Sequence, residues 1–136
     1  KFLASTGHEL GHIGLKSFIN SNPDLPTEAE VWVHLGASIG AAVDWNPRLQ
    51  TSDAEMETVA LKHLKDNQLT IVPTGEVRGG EAEEIHRRGG RYLSIVGDHA
   101  TFHQQADRWP DAVNPTATAE YASAMASIVM ELTKAE

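Results

Sequence analysis

The clearest structural signal in the sequence is one short, mostly apolar segment, Tyr92-Leu93-Ser94-Ile95-Val96. A nearly continuous apolar run of this length, set between glycines, is typical of a buried strand. Similar runs predict three further strands over residues 2–6, 30–35 and 69–72. Strands that are apolar on both sides form a sheet whose two faces must both be buried by other secondary structure. The segments between these runs therefore determine the architecture.

Helical periodicity separates these strands. The spacing of apolar residues predicts helices over residues 8–19, 53–66 and 81–88, and an amphipathic helix that begins at Asn114 and Pro115. The remaining stretches, 44–47 and 97–113, are predicted turns or loops. Strand and helix alternate, which predicts an α/β domain with a mostly parallel sheet and helices on both faces.

Two of these helices begin with the pattern of a capping box. In that pattern a hydroxyl side chain at the helix start is followed three residues later by glutamate. Thr6 and Glu9 match it before the first helix, and Ser52 and Glu55 match it before the second. On this interpretation Glu9 has no role beyond capping the helix.

Composition restricts the classes of function. The chain has 136 residues, with 11 Lys and Arg against 19 Asp and Glu, a formal charge of −8, and no cysteine. The absence of cysteine excludes disulfide scaffolds, thiolate metal sites and cysteine nucleophiles. The acidic balance, with scattered basic residues, argues against nucleic-acid partners, and no apolar run is long enough to span a membrane.

The chain is predicted to be a single domain, residues 1–136, and a piece of a longer protein. It begins at Lys1, without methionine, and runs almost directly into a predicted strand. An upstream segment is therefore expected, and neither the compartment nor the oligomeric state follows from the sequence.

Residues 8–12, His-Glu-Leu-Gly-His, match the zincin pattern H-E-x-x-H. In that pattern two histidines one helical turn apart hold zinc, and the glutamate activates a bound water molecule. The pattern belongs in the middle of a helix, whereas Gly7 and the capping signals place His8 at a helix start. A zincin metalloprotease is therefore an alternative rather than the main hypothesis.

The same region, residues 7–15 after a predicted strand, resembles the strand-to-helix turn of the co-catalytic zinc aminopeptidases. This family is of the bacterial leucyl aminopeptidase type, with glutamate carboxypeptidases and glutaminyl cyclases as relatives. The resemblance resumes at residues 102–107, Phe-His-Gln-Gln-Ala-Asp, and at residues 111–115 before the long helix. Together these segments imply a zinc-exopeptidase-like fold over most of the chain.

The resemblance implies site residues. Glu9 falls on a metal-ligand position, His103 on the last ligand position, and His8 on the position of the catalytic base. His34 stands near a ligand position that is aspartate in the family, so either His34 replaces that ligand or that metal is absent. Glu9 and His103 are expected to converge at the carboxyl ends of the strands, with His8 and His34 nearby.

The main hypothesis is thus a zinc-dependent exopeptidase that hydrolyses peptide or aminoacyl substrates by means of metal-activated water. The family's first two ligands lie upstream of this turn. The resemblance therefore implies that the chain is the C-terminal portion of a larger catalytic domain and is inactive by itself. Two departures from the family, His8 in place of glutamate and the missing aspartate near Gly36, favour a catalytically degenerate binding module as an alternative. The polar loop that holds His99 and His103 is the segment most typical of a site.

Overall fold

A computed structural model describes residues 1–64 and 69–134. Its centre is a four-stranded sheet in the order β1-β4-β2-β3. The strands are β1 (Trp32–Leu35), β2 (Asn46–Thr51), β3 (Thr70–Ile71) and β4 (Tyr92–Asp98). Around them lie a 3-10 helix (His8–Leu10) and the helices α1 (Ile13–Ser21), α2 (Leu25–Glu28), α3 (Ala54–Leu64), α4 (Ala82–His86) and α5 (Pro115–Leu132).

The sheet is mixed, so the prediction of a mostly parallel sheet is wrong, although the α/β class is confirmed. Strand β4 runs parallel to β1 but antiparallel to β2, and β2 runs parallel to β3. Strand β2, which runs antiparallel to β4, was missing from the sequence-based prediction. Residues 44–47 were predicted to be a turn or loop, but β2 begins at Asn46. Strand β2 was not predicted because its polar residues interrupt any apolar run. Two of these polar residues, Gln50 and Thr51, are nevertheless fully buried.

The segment that carried the strongest sequence signal is the centre of the fold. Successive side chains of β4 point to opposite faces of the sheet, so each face receives its own helices. Leu93 and Ile95 are fully buried in a cluster with apolar residues of α3 and α5. Tyr92, on the other face, packs in a second cluster with residues of α1 and α4.

The predicted strand over residues 2–6 is not present. This segment has no regular structure, and Phe2 is completely exposed. An apolar run becomes a strand only when a neighbouring strand satisfies its backbone groups, and within the described residues the segment pairs with none.

The helix predicted over residues 8–19 is divided. Gly7 and Gly11 both adopt left-handed backbone conformations, and His12 does so with a φ of 60°. These residues limit the first part to a single 3-10 turn, and α1 starts only at Ile13. No side chain caps that turn, so the predicted capping box of Thr6 and Glu9 is wrong.

The later helices follow the sequence more closely. Helix α5 begins at Pro115, and the Asn114 side chain accepts a hydrogen bond from the Ala117 N–H, as predicted for an N-cap. Helix α3 spans Ala54–Leu64, and its predicted end at residue 66 lies outside the described residues. Within the described ranges, no helix has the length and apolar character that crossing a membrane requires.

Asp53, rather than the predicted Ser52, caps α3. Its Oδ1 accepts hydrogen bonds from the Glu55 and Met56 N–H groups, and its carboxylate also binds the Arg91 guanidinium at 2.8 Å. These hydrogen bonds, chiefly from Arg91, hold the pKa of Asp53 well below its usual range. The charged carboxylate therefore ties the start of α3 to the residue just before β4.

We expect Asp53→Asn to lower the free energy of unfolding at pH 7 by about 1 kcal/mol or less, because the ion pair is partly exposed. A depressed pKa in the folded state stabilises the fold at a pH above the unfolded pKa. That contribution is lost as the pH falls towards the folded value. Urea unfolding of both proteins between pH 7 and pH 3 should show the difference shrinking below about pH 4. A difference that grows on acidification would contradict this assignment.

Candidate functional site

Three of the histidines singled out in the sequence lie at or after the carboxyl ends of β1 and β4. These two strands are parallel neighbours, so the chain leaves both of them at the same edge of the sheet. Ligands of α/β proteins commonly bind at such an edge. His34 lies near the end of β1, and His99 and His103 lie in the loop after β4.

Four side chains form what we call the His–Glu cluster: His8, His12, His34 and Glu81. His8, His12 and Glu81 each offer a ligand atom, and these three atoms lie within 4.8 Å of one another. His34 Nε2 lies 3.2 Å from Glu81 Oε2, and His8 Nδ1 lies 2.9 Å from Glu81 Oε1. Glu81 thus stands between three imidazole rings that come from two distant parts of the chain.

A buried network supports the cluster from beneath. His34 Nδ1 hydrogen-bonds Ser94 Oγ at 2.8 Å, and the Gln50 amide donates to the same oxygen at 3.1 Å. The Gln50 amide also donates to the carbonyl of Gly79, two residues before Glu81. Gln50 and Ser94 are completely buried, so His34 and the loop that leads to Glu81 share one fixed support.

Close approach explains the glycine at position 80. Gly80 has a φ of +79°, and a Cβ there would lie 2.7 Å from His34 Cε1 and 2.9 Å from Val96 Cγ1. Only glycine fits this position without displacing the imidazole, because any side chain would occupy its space. Gly79 and Gly80 read as a simple turn in the sequence, so this role was not predicted.

The electrostatics differ among the members of the cluster. The hydrogen bond with Glu81 raises the pKa of His8, whereas burial lowers the pKa of His34. For Glu81, burial acts to raise the pKa, but hydrogen bonding and the nearby histidines outweigh it and the pKa is lowered. His34 is therefore favoured as the neutral imidazole and Glu81 as the carboxylate.

A second contact joins two of the predicted metal ligands. Glu9 Oε1 lies 3.1 Å from His103 Nε2, so the expected convergence of these residues is present in the structure. Both side chains are well exposed, at 71% and 60% respectively. Within the described residues, His34 hydrogen-bonds Ser94 and Glu81 rather than this pair. Among the described residues, no hydrogen bond joins His34 to the other two predicted ligands.

A third arrangement, the Ser38 triad, consists of Ser38, His99 and Asp107. His99 Nδ1 lies 2.8 Å from Ser38 Oγ, and His99 Nε2 lies 3.0 Å from Asp107 Oδ1. The His99 side chain is only 5% exposed. The sequence marked His99 and Asp107 as members of a site-like loop, but it gave no role to Ser38.

Two members of the His–Glu cluster were not expected to meet. Glu81 was not singled out in the sequence, and His12 entered only through the zincin pattern. His12 Nδ1 also lies 3.7 Å from Glu84 Oε1, a buried carboxylate that is paired with Lys16 and two arginines. No spacing rule connects Glu81 with His8, since the contact spans 73 residues of chain.

Comparisons with known proteins give no protein-family model that matches the chain. No curated protein matches it either. A solved structure that resembles it is described as "Crystal structure of Pyrococcus furiosus PbaA, an archaeal homolog of proteasome-assembly chaperone". The TM-score is 0.47 at 19% sequence identity, over 98% of this chain and 57% of that chain. This chain thus spans little more than half the length of that protein.

These findings correct the identification made from the sequence. The mixed four-stranded sheet shows no zinc-exopeptidase fold, and no protein-family model or curated protein supports a peptidase. The predicted zinc exopeptidase, with its metallopeptidase hydrolysis and its peptide or aminoacyl substrates, is therefore wrong. So is the degenerate peptidase-fold module, because the mixed sheet shows no zinc-exopeptidase fold.

The zincin alternative fails on local geometry. Its pattern requires both histidines on one continuous helix, with the glutamate beside the metal. Here His8 lies in a 3-10 turn, His12 precedes α1 in a left-handed conformation, and Glu9 contacts His103 instead. His8 and His12 are close in space, with ring centroids 5.0 Å apart, but a different carboxylate joins them.

Proposed function

We propose that this protein binds a divalent transition-metal ion, best matched by zinc, at the His–Glu cluster. The observation that supports the proposal is the convergence of ligand atoms from His8, His12 and Glu81 within 4.8 Å of one another. Nitrogen and oxygen ligands of one zinc ion stand about 2.0–2.2 Å from it, and hence within about 4 Å of each other. Small side-chain adjustments bring the cluster into that range.

His34 supplies a fourth ligand. Its Nε2 already lies 3.2 Å from Glu81, which would complete the tetrahedral set that zinc prefers. Its other ring nitrogen is held by Ser94, and ligating histidines are typically oriented by such an outer hydrogen bond. The low pKa of His34 also favours the neutral imidazole that binds metal.

The donor set favours zinc over the common alkaline-earth ions. Three imidazoles and one carboxylate suit zinc and its neighbours in the first transition row, whereas calcium and magnesium prefer oxygen ligands. The bound ion would tie the irregular N-terminal segment to β1 and to the loop before α4. Metal binding would therefore stabilise the fold in addition to occupying a site.

The test is titration of the whole chain with zinc by calorimetry, together with the absorption spectrum of the cobalt-substituted protein. We expect one ion per chain in the wild type. Glu81→Gln should weaken the affinity at least about 100-fold, because it removes a direct ligand. The matched control is Glu83→Gln, which makes the same change of charge two residues away at a side chain paired with Arg87.

The control should bind zinc like the wild type. Equal weakening by both variants would show a general effect of charge instead of a site. The absence of saturable binding in the wild type would refute the proposal.

Ser94→Ala tests the support of the site without removing a ligand. Loss of an outer hydrogen bond typically weakens metal affinity about 10–100-fold, so we expect weaker binding at an unchanged stoichiometry of one ion. Ser123→Ala, at an exposed helical serine, should leave the affinity as it is. An unaltered zinc affinity in Ser94→Ala would remove His34 from the ligand set.

A further inference from the structure

The turn after β1 contains a pattern that the metal site does not use. Residues 36–40 read Gly-Ala-Ser-Ile-Gly, which matches G-x-S-x-G directly after a strand. In proteins that use this pattern the serine sits on a sharp, strained turn that exposes its hydroxyl group. Ser38 has a φ of 64°, a left-handed backbone conformation that residues other than glycine rarely adopt.

The glycines of the pattern hold this turn closely against the rest of the fold. A Cβ at Gly36 would lie 2.6 Å from Val96 Cγ1, and one at Gly40 would lie 2.9 Å from the Thr118 backbone. The carbonyl of Gly40 accepts a hydrogen bond from the Asn114 N–H at the start of α5. Unlike the usual arrangement, the turn leads to a bridge between Ala41 and Val113 and not into a helix.

The hydrogen bonds of His99 determine where its proton lies. A carboxylate oxygen can only accept, so the 3.0 Å contact with Asp107 places the proton on His99 Nε2. The other nitrogen, Nδ1, then carries a lone pair, and the Ser38 hydroxyl donates to it at 2.8 Å. The serine proton is thus directed at a base whose tautomer and orientation are fixed by a third group.

A donor for developing negative charge is also present. In G-x-S-x-G turns the N–H of the residue after the serine stabilises the oxyanion. That residue is Ile39, and its N–H donates no hydrogen bond within the described part of the chain. The loop that carries Asp107 also lines a cleft of about 510 Å³, with Val43, Ala106 and Arg108 among its walls.

We propose that Ser38 is an activated nucleophile that accepts an acyl group from an ester or thioester. Ser38 Oγ attacks the acyl carbon, and its proton passes to His99 Nδ1. The new bond joins Oγ to the acyl carbon, the bond from that carbon to the leaving oxygen or sulfur breaks, and His99 returns the proton to the leaving group. The products are an acylated serine and an alcohol or thiol.

This site shares no residue with the His–Glu cluster, so the two proposals stand independently. Asp107 is a positioning residue, because it acts on Ser38 only through His99. Its substitution by asparagine should favour the wrong tautomer of His99 while leaving the exposed loop otherwise unchanged. Ser38 itself should then persist as an ordinary, weakly nucleophilic hydroxyl group.

The experiment treats the full chain with p-nitrophenyl acetate in the presence of a chelator. Release of p-nitrophenolate is followed, and the acetylated residue is located by peptide mass spectrometry. We expect one acetyl group per chain on Ser38, at a rate at least about 100-fold above that of exposed Ser123 in the same sample. The chelator ensures that no metal-bound hydroxide contributes to the release.

Ser38→Ala should abolish this acetylation, and Asp107→Asn should slow it about 10²–10⁴-fold with an unchanged circular dichroism spectrum. The circular dichroism spectrum excludes a poorly folded variant, and Ser123 corrects for differences in reagent and exposure time between samples. Acetylation of Ser38 no faster than that of Ser123 in the folded wild type would overturn the proposal. Unaltered acetylation of Ser38 in Asp107→Asn would equally overturn the role of the triad.

Discussion

Leu49→Ala is expected to lower the free energy of unfolding by about 2–5 kcal/mol. Leu49 lies in the middle of β2, is fully buried, and packs in the cluster formed with α3 and α5. Truncation removes apolar contacts and leaves a cavity that the surrounding strands cannot close, because β4 and β3 hold β2 on both sides. Urea denaturation followed by circular dichroism measures the change.

The matched control is Ile71→Ala. Ile71 is the register partner of Leu49 in the β2–β3 pair, yet its side chain is 46% exposed. We expect a loss below about 1 kcal/mol from this substitution. Equal losses at the two positions would contradict the placement of Leu49 in the core.

Gly40→Ala should destabilise the protein by about 2–5 kcal/mol. Two costs combine at this position: an alanine in the left-handed region costs about 1–2 kcal/mol, and a forced overlap costs a further 1–3 kcal/mol. The overlap is with Thr118, whose backbone N and Cα would both lie 2.9 Å from the new Cβ. Thermal and urea unfolding should both detect the change.

Gly79→Ala separates these two costs. Gly79 also has a positive φ, of +98°, but a Cβ there would meet nothing within 4 Å. Only the conformational cost applies, so we expect a loss of about 1–2 kcal/mol. Should both variants lose the same amount, the close packing of the 36–40 turn against α5 would be refuted.

The parts of the fold that were predicted correctly are those in which local signals are sufficient. Helix α5 combines an asparagine cap, a proline at its first position and an apolar stripe, and the buried residues Tyr121, Met125 and Ile128 confirm that stripe. Strand β4 is buried on both faces, so its apolar run predicted it directly. In both cases the residues of the element itself determine its secondary structure and its buried side chains.

The failures occur where pairing decides the structure. Residues 2–6 have the composition of a strand, but no described strand lies beside them. Strand β2 contains proline, arginine and glutamine, yet six of its residues pair with β4. Gln50 is acceptable in the interior because it bonds Ser94 and the backbone of residues 78 and 79. Such partners are distant in sequence, so periodicity cannot reveal them.

Several residues of the candidate site were singled out in the sequence, but the contacts between them were not predicted. The loop after β4 and the histidines near Gly7 were identified, and Glu9 does meet His103. The contacts of Glu81 with His8 and His34 depend on the placement of α4 above the end of β1, which no local pattern encodes. The G-x-S-x-G spacing around Ser38 was recoverable from the sequence, because it directly follows a correctly predicted strand.

The strand order has a consequence for synthesis on the ribosome. Strand β4 is the last to be made, yet it lies between β1 and β2 and joins them into one sheet. A nascent chain that has not yet emerged as far as residue 98 can pair only the two residues of β3 with β2. Until then the backbone N–H and C=O groups of its earlier strands remain largely unpaired, and unpaired strands favour aggregation with other chains. Synthesis of β4 is therefore the point at which the described strands can form one sheet, and α5, made later still, completes the core on one face.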